Sequence, residues 1–187
     1  MKKKLLVVIM GLFLSTAVFA DHADSLALGG VFGTGVGING LIPSFAFYPV
    51  NLSLHVPKVP VMWGLNLRFI NGFEFGVTGD YYFYEPNLVS ETKTNDDGNY
   101  ELKIDWYLGI GGYANMSAGA GGYFGGNGGV RIPFGVSWHA MQQIKQLEVS
   151  VGSVAGILGI GGNNNSDKPY YHWFFIPLEI AVRWWFD

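Results

Sequence analysis

The stretch LEIAVRWWFD (178–187) alternates between two kinds of side chain. Every second residue from Leu178 to Phe186 is large and apolar, whereas the positions between them include Glu179, Ala181 and Arg183. Because successive side chains of a β-strand point to opposite faces, the stretch predicts a strand with two different faces. One face is bulky and apolar, and the other carries opposite charges.

The same alternation recurs along the chain and predicts about eight strands. It is clear in VMWGLNLRF (61–69), FEFGVTGDYYFY (73–84), YELKIDWYLGIG (100–111), VRIPFGVSWH (130–139) and LEVSVG (147–152). Segments 25–38 and 44–56 are weaker candidates, because glycines interrupt the first and Pro49 the second. Asn71-Gly72 predicts a two-residue hairpin turn, and Pro133 within a strand predicts a bulge. Three long polar or glycine-rich stretches, 85–98, 115–129 and 161–172, are interpreted as linkers.

The first twenty residues have the pattern of a secretory signal peptide. A basic MKKK start precedes an apolar run, and Val18-Phe19-Ala20 places small residues where a signal peptidase reads them. The expected organisation is therefore a signal peptide over 1–20, cleaved near Ala20, and a single domain over 21–187.

Composition then favours a membrane β-barrel. Charged residues make up 13% of the chain, against about 25% in soluble domains, while aromatic residues make up 16%. No later segment is long and apolar enough for a transmembrane helix, so strands are the remaining way to cross a bilayer. The chain has no cysteine, and its net charge of −3 gives no reason to expect nucleic acid as a partner.

Alternation alone also fits a soluble, lipocalin-like barrel whose apolar face points inward. Side-chain volume separates the two arrangements, because an eight-stranded barrel has room for little more than its own small side chains. The apolar face carries Trp or Phe on nearly every clear strand, whereas the other face is rich in Gly, Ala, Ser and Thr. The sequence therefore predicts an all-β, eight-stranded antiparallel up-and-down transmembrane barrel whose apolar face meets lipid.

Two sets of residues are the candidate functional positions of this barrel. The charged residues of the polar face should pair inside the lumen, since both signs are present and unpaired buried charges are costly. They are Arg68, Glu74, Asp80, Lys103, Asp105, Arg131, Glu148, Glu179 and Arg183. Aromatic residues near strand ends should form girdles at the two membrane interfaces. They are Trp63, Phe69, Tyr81, Phe83, Trp106, Trp138, Trp184 and Phe186.

No motif in the chain predicts catalysis or a cofactor. Gly35 to Gly40 match GxGxxG, but neither a following helix nor an acidic residue about twenty positions on supports dinucleotide binding. The four histidines lack metal-ligand spacing. Ser137 and His139 share the polar face, as a hydrolase pair would, but the chain has no GxSxG stretch. We therefore expect no enzyme activity, no cofactor and no metal.

Several stretches resemble the small outer-membrane β-barrels of spirochaetes, a family of uncharacterised proteins with the shape of OmpA and OmpX. The matching stretches are GDYYFY (79–84), WYLGIGGY (106–113), GGVRIPFGVSW (128–138), LEVSVGSVAGIL (147–158) and IAVRWWF (180–186). The resemblance implies an eight-stranded barrel of undetermined function and transfers no catalytic residue.

The expected function is structural or surface interaction in a bacterial outer membrane, with the lumen closed by the charge pairs. The expected partners are outer-membrane lipid, the outer-membrane insertion machinery and an extracellular ligand bound by the loops. Two alternatives stay open at this point, a narrow pore for ions or small solutes and a soluble periplasmic ligand-binding barrel.

Overall fold

The chain folds into a closed antiparallel barrel of eight strands, which confirms the predicted fold class. The computed structural model describes residues 24–39, 42–69, 72–95, 98–139 and 146–186, so the expected signal peptide lies outside the described residues. The strands are β1 Leu26–Asn39, β2 Ile42–His55, β3 Met62–Arg68, β4 Phe73–Asn95, β5 Gly98–Ala118, β6 Phe124–His139, β7 Leu147–Asn163 and β8 Ser166–Phe186. Each strand pairs with the next, and β8 pairs with β1 to close the barrel.

The three stretches interpreted as linkers are mostly strand, so that interpretation was wrong. β4 and β5 stay paired to Asn95 and Gly98, only residues 119–123 separate β5 from β6, and only residues 164–165 separate β7 from β8. Glycine caused the error in the second and third stretches, because it reads as a loop signal in a sequence. Inside a narrow barrel it instead supplies strand positions that carry no side chain.

The barrel has two unequal ends. We call the end with the connections after β1, β3, β5 and β7 the upper end, and the opposite end the lower end. At the upper end all four connections are short. At the lower end, β4 and β5 continue past the Lys103–His139 pair of β5 and β6 as a two-stranded ribbon.

Strand pairing is weakest between β2 and β3. This pairing covers only Leu52 to His55 on β2 opposite Met62 to Leu65 on β3.

Pro133 does not form the predicted bulge, because β5 and β6 keep the same register on both sides of it. The proline instead interrupts their pairing between Leu108–Phe134 and Gly111–Arg131, where its missing N–H removes a donor. The predicted β3–β4 hairpin is present, although its connection covers residues 69–72 rather than two residues.

The bulky apolar side chains point outward and the polar side chains point inward, as the volume argument predicted. Along β8, Leu178, Ile180, Val182, Trp184 and Phe186 are exposed, whereas Glu179, Ala181, Arg183 and Trp185 are buried. The inward-apolar arrangement of a lipocalin-like barrel is therefore not the arrangement of this chain. The interior is polar, and the outer wall carries the bulky apolar side chains.

Candidate functional site

The lumen is the candidate functional site, because the polar faces of all eight strands converge there. Each of the nine predicted charged residues lies within 4.0 Å of a partner of opposite charge. In the described part of the chain these ion pairs form four separate groups. From the upper to the lower end they are Arg68 with Glu74, Arg131 with Asp80 and Glu179, Arg183 with Glu148, and Lys103 with Asp105.

Arg131 occupies the middle of the lumen. Its Nε lies 3.0 Å from Asp80 Oδ1, and its Nη2 lies 3.6 Å from Glu179 Oε2. All three residues are buried, so the ion pairs form with little access to water. Removing one carboxylate would leave Arg131 paired with the other, whereas removing Arg131 would leave two neighbouring buried carboxylates without this counter-charge, which is the costly outcome for buried charges.

Below this group, Arg183 and Glu148 form the most completely bonded pair in the lumen. Arg183 Nη1 donates to Glu148 Oε1 at 2.8 Å, and its Nε donates to Ser53 Oγ at 2.9 Å. Ser150 Oγ lies 3.3 Å from the same Nη1, and Trp185 Nε1 donates to Glu148 Oε2 at 2.8 Å. These bonds thus join β7 and β8 to β2, the strand beyond β1, and Glu148 is only 1% exposed.

The lowest group brings together the residues of the hydrolase hypothesis. His139 Nε2 lies 3.4 Å from Ser137 Oγ and 3.7 Å from Asp105 Oδ2, and Lys103 Nζ lies 4.0 Å from the same oxygen. A catalytic triad needs one ring nitrogen toward the serine and the other toward the acid. Here a single nitrogen faces both, and Ser137 is 1% exposed. The arrangement is that of a buried polar cluster.

The upper half of the lumen contains a cavity of about 210 Å³. Its lining comes from the strand halves next to the upper connections, and Arg131 and Glu179 lie at its lower boundary. Below them a second void of about 20 Å³ reaches Ser53 and Arg183. The void below the Arg131 group therefore has about one tenth of the volume of the cavity above it.

Glycine on the inward face of β1 makes this cavity possible. Gly33, Gly35 and Gly37 all line the cavity, so the wall of β1 carries no side chain there. Two of these glycines belong to the GxGxxG match, which therefore has a packing role in this fold. A glycine of β7 supports the adjacent wall, because Phe174 of β8 packs closely against Gly156.

The aromatic residues predicted for the two interfaces lie on the outward face wherever their side chains are described. Near the upper end, Phe69 is 73% exposed, and its ring centroid lies 5.6 Å from that of Phe73. Near the lower end, Trp184 and Phe186 are 42% and 47% exposed. Trp63 is also exposed, and Tyr81, Trp106 and Trp138 are half-buried; the side chain of Phe83 lies outside the described residues.

Sequence reasoning missed the neutral residues that complete the lumen. Ser53, Ser150 and Trp185 bond the Arg183–Glu148 pair, and a set of asparagines lines the upper cavity. Trp185 lies an even number of residues from Glu179 and Arg183 along β8. The alternation of the strand therefore already indicated that its side chain points inward with theirs. Its size argued for the outer wall, yet its N–H finds a buried carboxylate partner inside.

Comparisons with protein-family models, with curated proteins and with solved structures found no match to this chain. No helix among the described residues has the length and hydrophobicity needed to cross a membrane. Within the same residues, no group of His, Asp and Glu side chains is arranged to hold a metal ion.

Proposed function

We propose that this chain is a bacterial outer-membrane β-barrel with a closed lumen and a structural or surface-interaction role. The proposal rests on the difference between the two faces of the barrel, because the outward face is apolar and the inward face is polar. An outer wall of Leu, Ile, Val, Phe and Trp around a polar, charge-paired interior suits a barrel surrounded by lipid.

The outer wall argues against water as the surrounding solvent. Phe32, Leu67 and Phe124 are each at least half exposed, and they lie on different strands of the barrel. A soluble domain of this size needs a mixed, charged surface and rarely exposes a continuous apolar belt. In a bilayer the same belt is favourable, and closure of the sheet gives every strand a paired neighbour on each side.

The Arg183–Glu148 pair supports a closed lumen. It is a cross-strand pair of the neighbouring strands β7 and β8 below the upper cavity, and bonds to Ser53, Ser150 and Trp185 hold both side chains in place. Above it, the ion pairs of Arg131 join β4, β6 and β8, and moving ions through the lumen would require breaking these buried, charge-assisted pairs, which is strongly unfavourable. The resting barrel should therefore not conduct. A regular step conductance in planar bilayers would instead support the narrow pore.

A surface-interaction role would use the β4–β5 ribbon. Among the described residues, the ribbon extends furthest beyond the barrel wall, whereas the upper connections are short. Shortening the ribbon should leave the barrel closed while removing binding of a partner on the lower side of the membrane, where the paired ends Leu26 and Phe186 also lie. We also propose kinship with the spirochaete outer-membrane barrels, and all five matching stretches lie within strands β4 to β8 of the closed wall.

The test is to locate the protein and then measure its electrophoretic mobility before and after boiling in detergent. We expect it in the outer-membrane fraction, inserted there by the outer-membrane machinery, as a detergent-resistant band that shifts on boiling. Recovery in the periplasmic fraction without a mobility shift would contradict the proposal. That result would favour the soluble ligand-binding barrel.

A further inference from the structure

The cavity at the upper end has the size of a site for one small molecule. Its volume is about 210 Å³, below the roughly 300–1,000 Å³ of pockets that hold drug-sized ligands. The Arg131 group closes it from below, so a molecule that enters from the upper end meets a floor. The glycines of β1 hold this space open where other residues would fill it.

The wall of the cavity is rich in neutral hydrogen-bonding groups. Asn51, Asn66, Asn115 and Asn127 all line it, and an amide both donates and accepts hydrogen bonds. Asn115 and Asn127 bond to each other at 3.0 Å. The side-chain oxygens of Asn51 and Asn66 are buried and accept no hydrogen bond within the described part of the chain. Since the terminal amide torsion is soft, a hydroxyl in the cavity can reach these oxygens.

One side of the cavity is aromatic. The rings of Tyr113 and Phe174 meet edge to face with centroids 5.2 Å apart, and Tyr113 Oη lies 2.6 Å from His172 Nε2. Tyr170 extends this wall toward the upper rim. The face of a single aromatic ring beside several amides matches a sugar ring, which has C–H groups on its faces and hydroxyls around its edge.

The charges around the cavity already have partners. Arg131 at the floor pairs with Asp80 and Glu179, and Glu74 at the rim pairs with Arg68. A charged ligand would have to compete with these pairs, whereas a neutral one would leave them intact. We propose that the upper cavity binds one uncharged, polyhydroxylated molecule of monosaccharide size. The site belongs to the barrel itself and does not depend on the proposed function.

The test titrates the full chain, folded in detergent micelles, with glucose and with N-acetylglucosamine. Saturation-transfer NMR should report binding of at least one of these sugars, with a Kd on the order of 1 mM, as suits a ligand with few atoms. Absence of binding by both sugars would overturn the proposal. Tighter binding of methylammonium or acetate, in competition with the sugar, would overturn the assignment to a neutral ligand.

Matched variants locate the binding to the cavity. Gly35→Leu places a side chain in the cavity and should abolish sugar binding. Gly30→Leu adds the same side chain on the outer wall, between the outward residues Leu28 and Phe32, and should leave sugar binding unchanged. Equal binding by the two variants would refute the site. If Gly35→Leu gives no detergent-resistant barrel, Asn66→Ala carries the test. The Oδ1 that it removes accepts no hydrogen bond within the described residues, and the substitution should weaken binding about three- to tenfold.

Discussion

Replacement of Glu148 by alanine is the sharpest test of the lumen. The substitution removes both the counter-charge of Arg183 and the acceptor of Trp185 Nε1. Arg183 is 4% exposed, so water does not replace the lost carboxylate without local opening. Breaking a buried ion pair by removing one partner costs about 3–5 kcal/mol, and we expect a loss of that size in the free energy of unfolding.

The matched control is Glu74→Ala, which removes the carboxylate of the Arg68–Glu74 pair. The side chains of this pair are 38% and 25% exposed, so solvent screens the charge left behind. The expected cost is about 0–1 kcal/mol. Urea unfolding of both variants in lipid vesicles, followed by tryptophan fluorescence, gives the two free energies on one scale.

A double variant separates loss of the pair from loss of packing. In Glu148→Met with Arg183→Met, both charges leave together and side chains of similar length remain. Replacing a whole buried ion pair by apolar residues is often neutral or better. The double variant should therefore recover all but about 1–3 kcal/mol, the cost of the unpaired Trp185 N–H. A loss below about 1 kcal/mol for Glu148→Ala would refute the reasoning, because it would mean that the pair is accessible to water.

Three further predictions follow from the wall of the barrel. Val182→Arg places a charge on the outward face and should cost about 2–4 kcal/mol in vesicles, measured by urea unfolding. Gly152→Ala should lower stability, because a Cβ there would collide with Tyr107 Oη, whereas Gly162→Ala meets no atom within 4 Å and should be neutral; thermal unfolding compares the two. Amide hydrogen exchange should be faster between β2 and β3 than between β4 and β5, because the first ladder is short.

The sequence predicted the barrel from its period-two alternation. Strands with large outward residues, such as β3 and β8, could be recognised in the sequence, because Trp and Phe identify one face of each strand. The chain from Asn115 to Gly129 was misread as a linker, since glycine is a loop signal when its partners are unknown. Only the closed wall shows that Gly126, Gly128 and Gly129 lie close to atoms of neighbouring strands, whereas Gly121 and Gly122 belong to the turn.

Alternation in the sequence predicts the face of its strand on which each charged residue lies, but not how the charges pair. Alternation fixes the face of Arg131 and Glu179, because parity along a strand is a local property. Their contact depends on the register between strands, which the bulge between Gly152 and Val154 helps to set. The upper cavity could not be predicted for the same reason. It arises where the glycines of β1 pair with the segment of β8 that carries Phe174 and where Tyr113 of β5 meets that ring.

Single spin labels along β8 test the central claim, which is the direction of the two faces. The chain has no cysteine, so one cysteine at each of residues 178 to 184 gives an unambiguous label position. In lipid vesicles, accessibility to oxygen dissolved in the bilayer should peak at Leu178, Ile180, Val182 and Trp184 and fall between them. Peaks at these same positions for a water-soluble nickel complex, with no preference for oxygen, would contradict the account and show an outer wall in water.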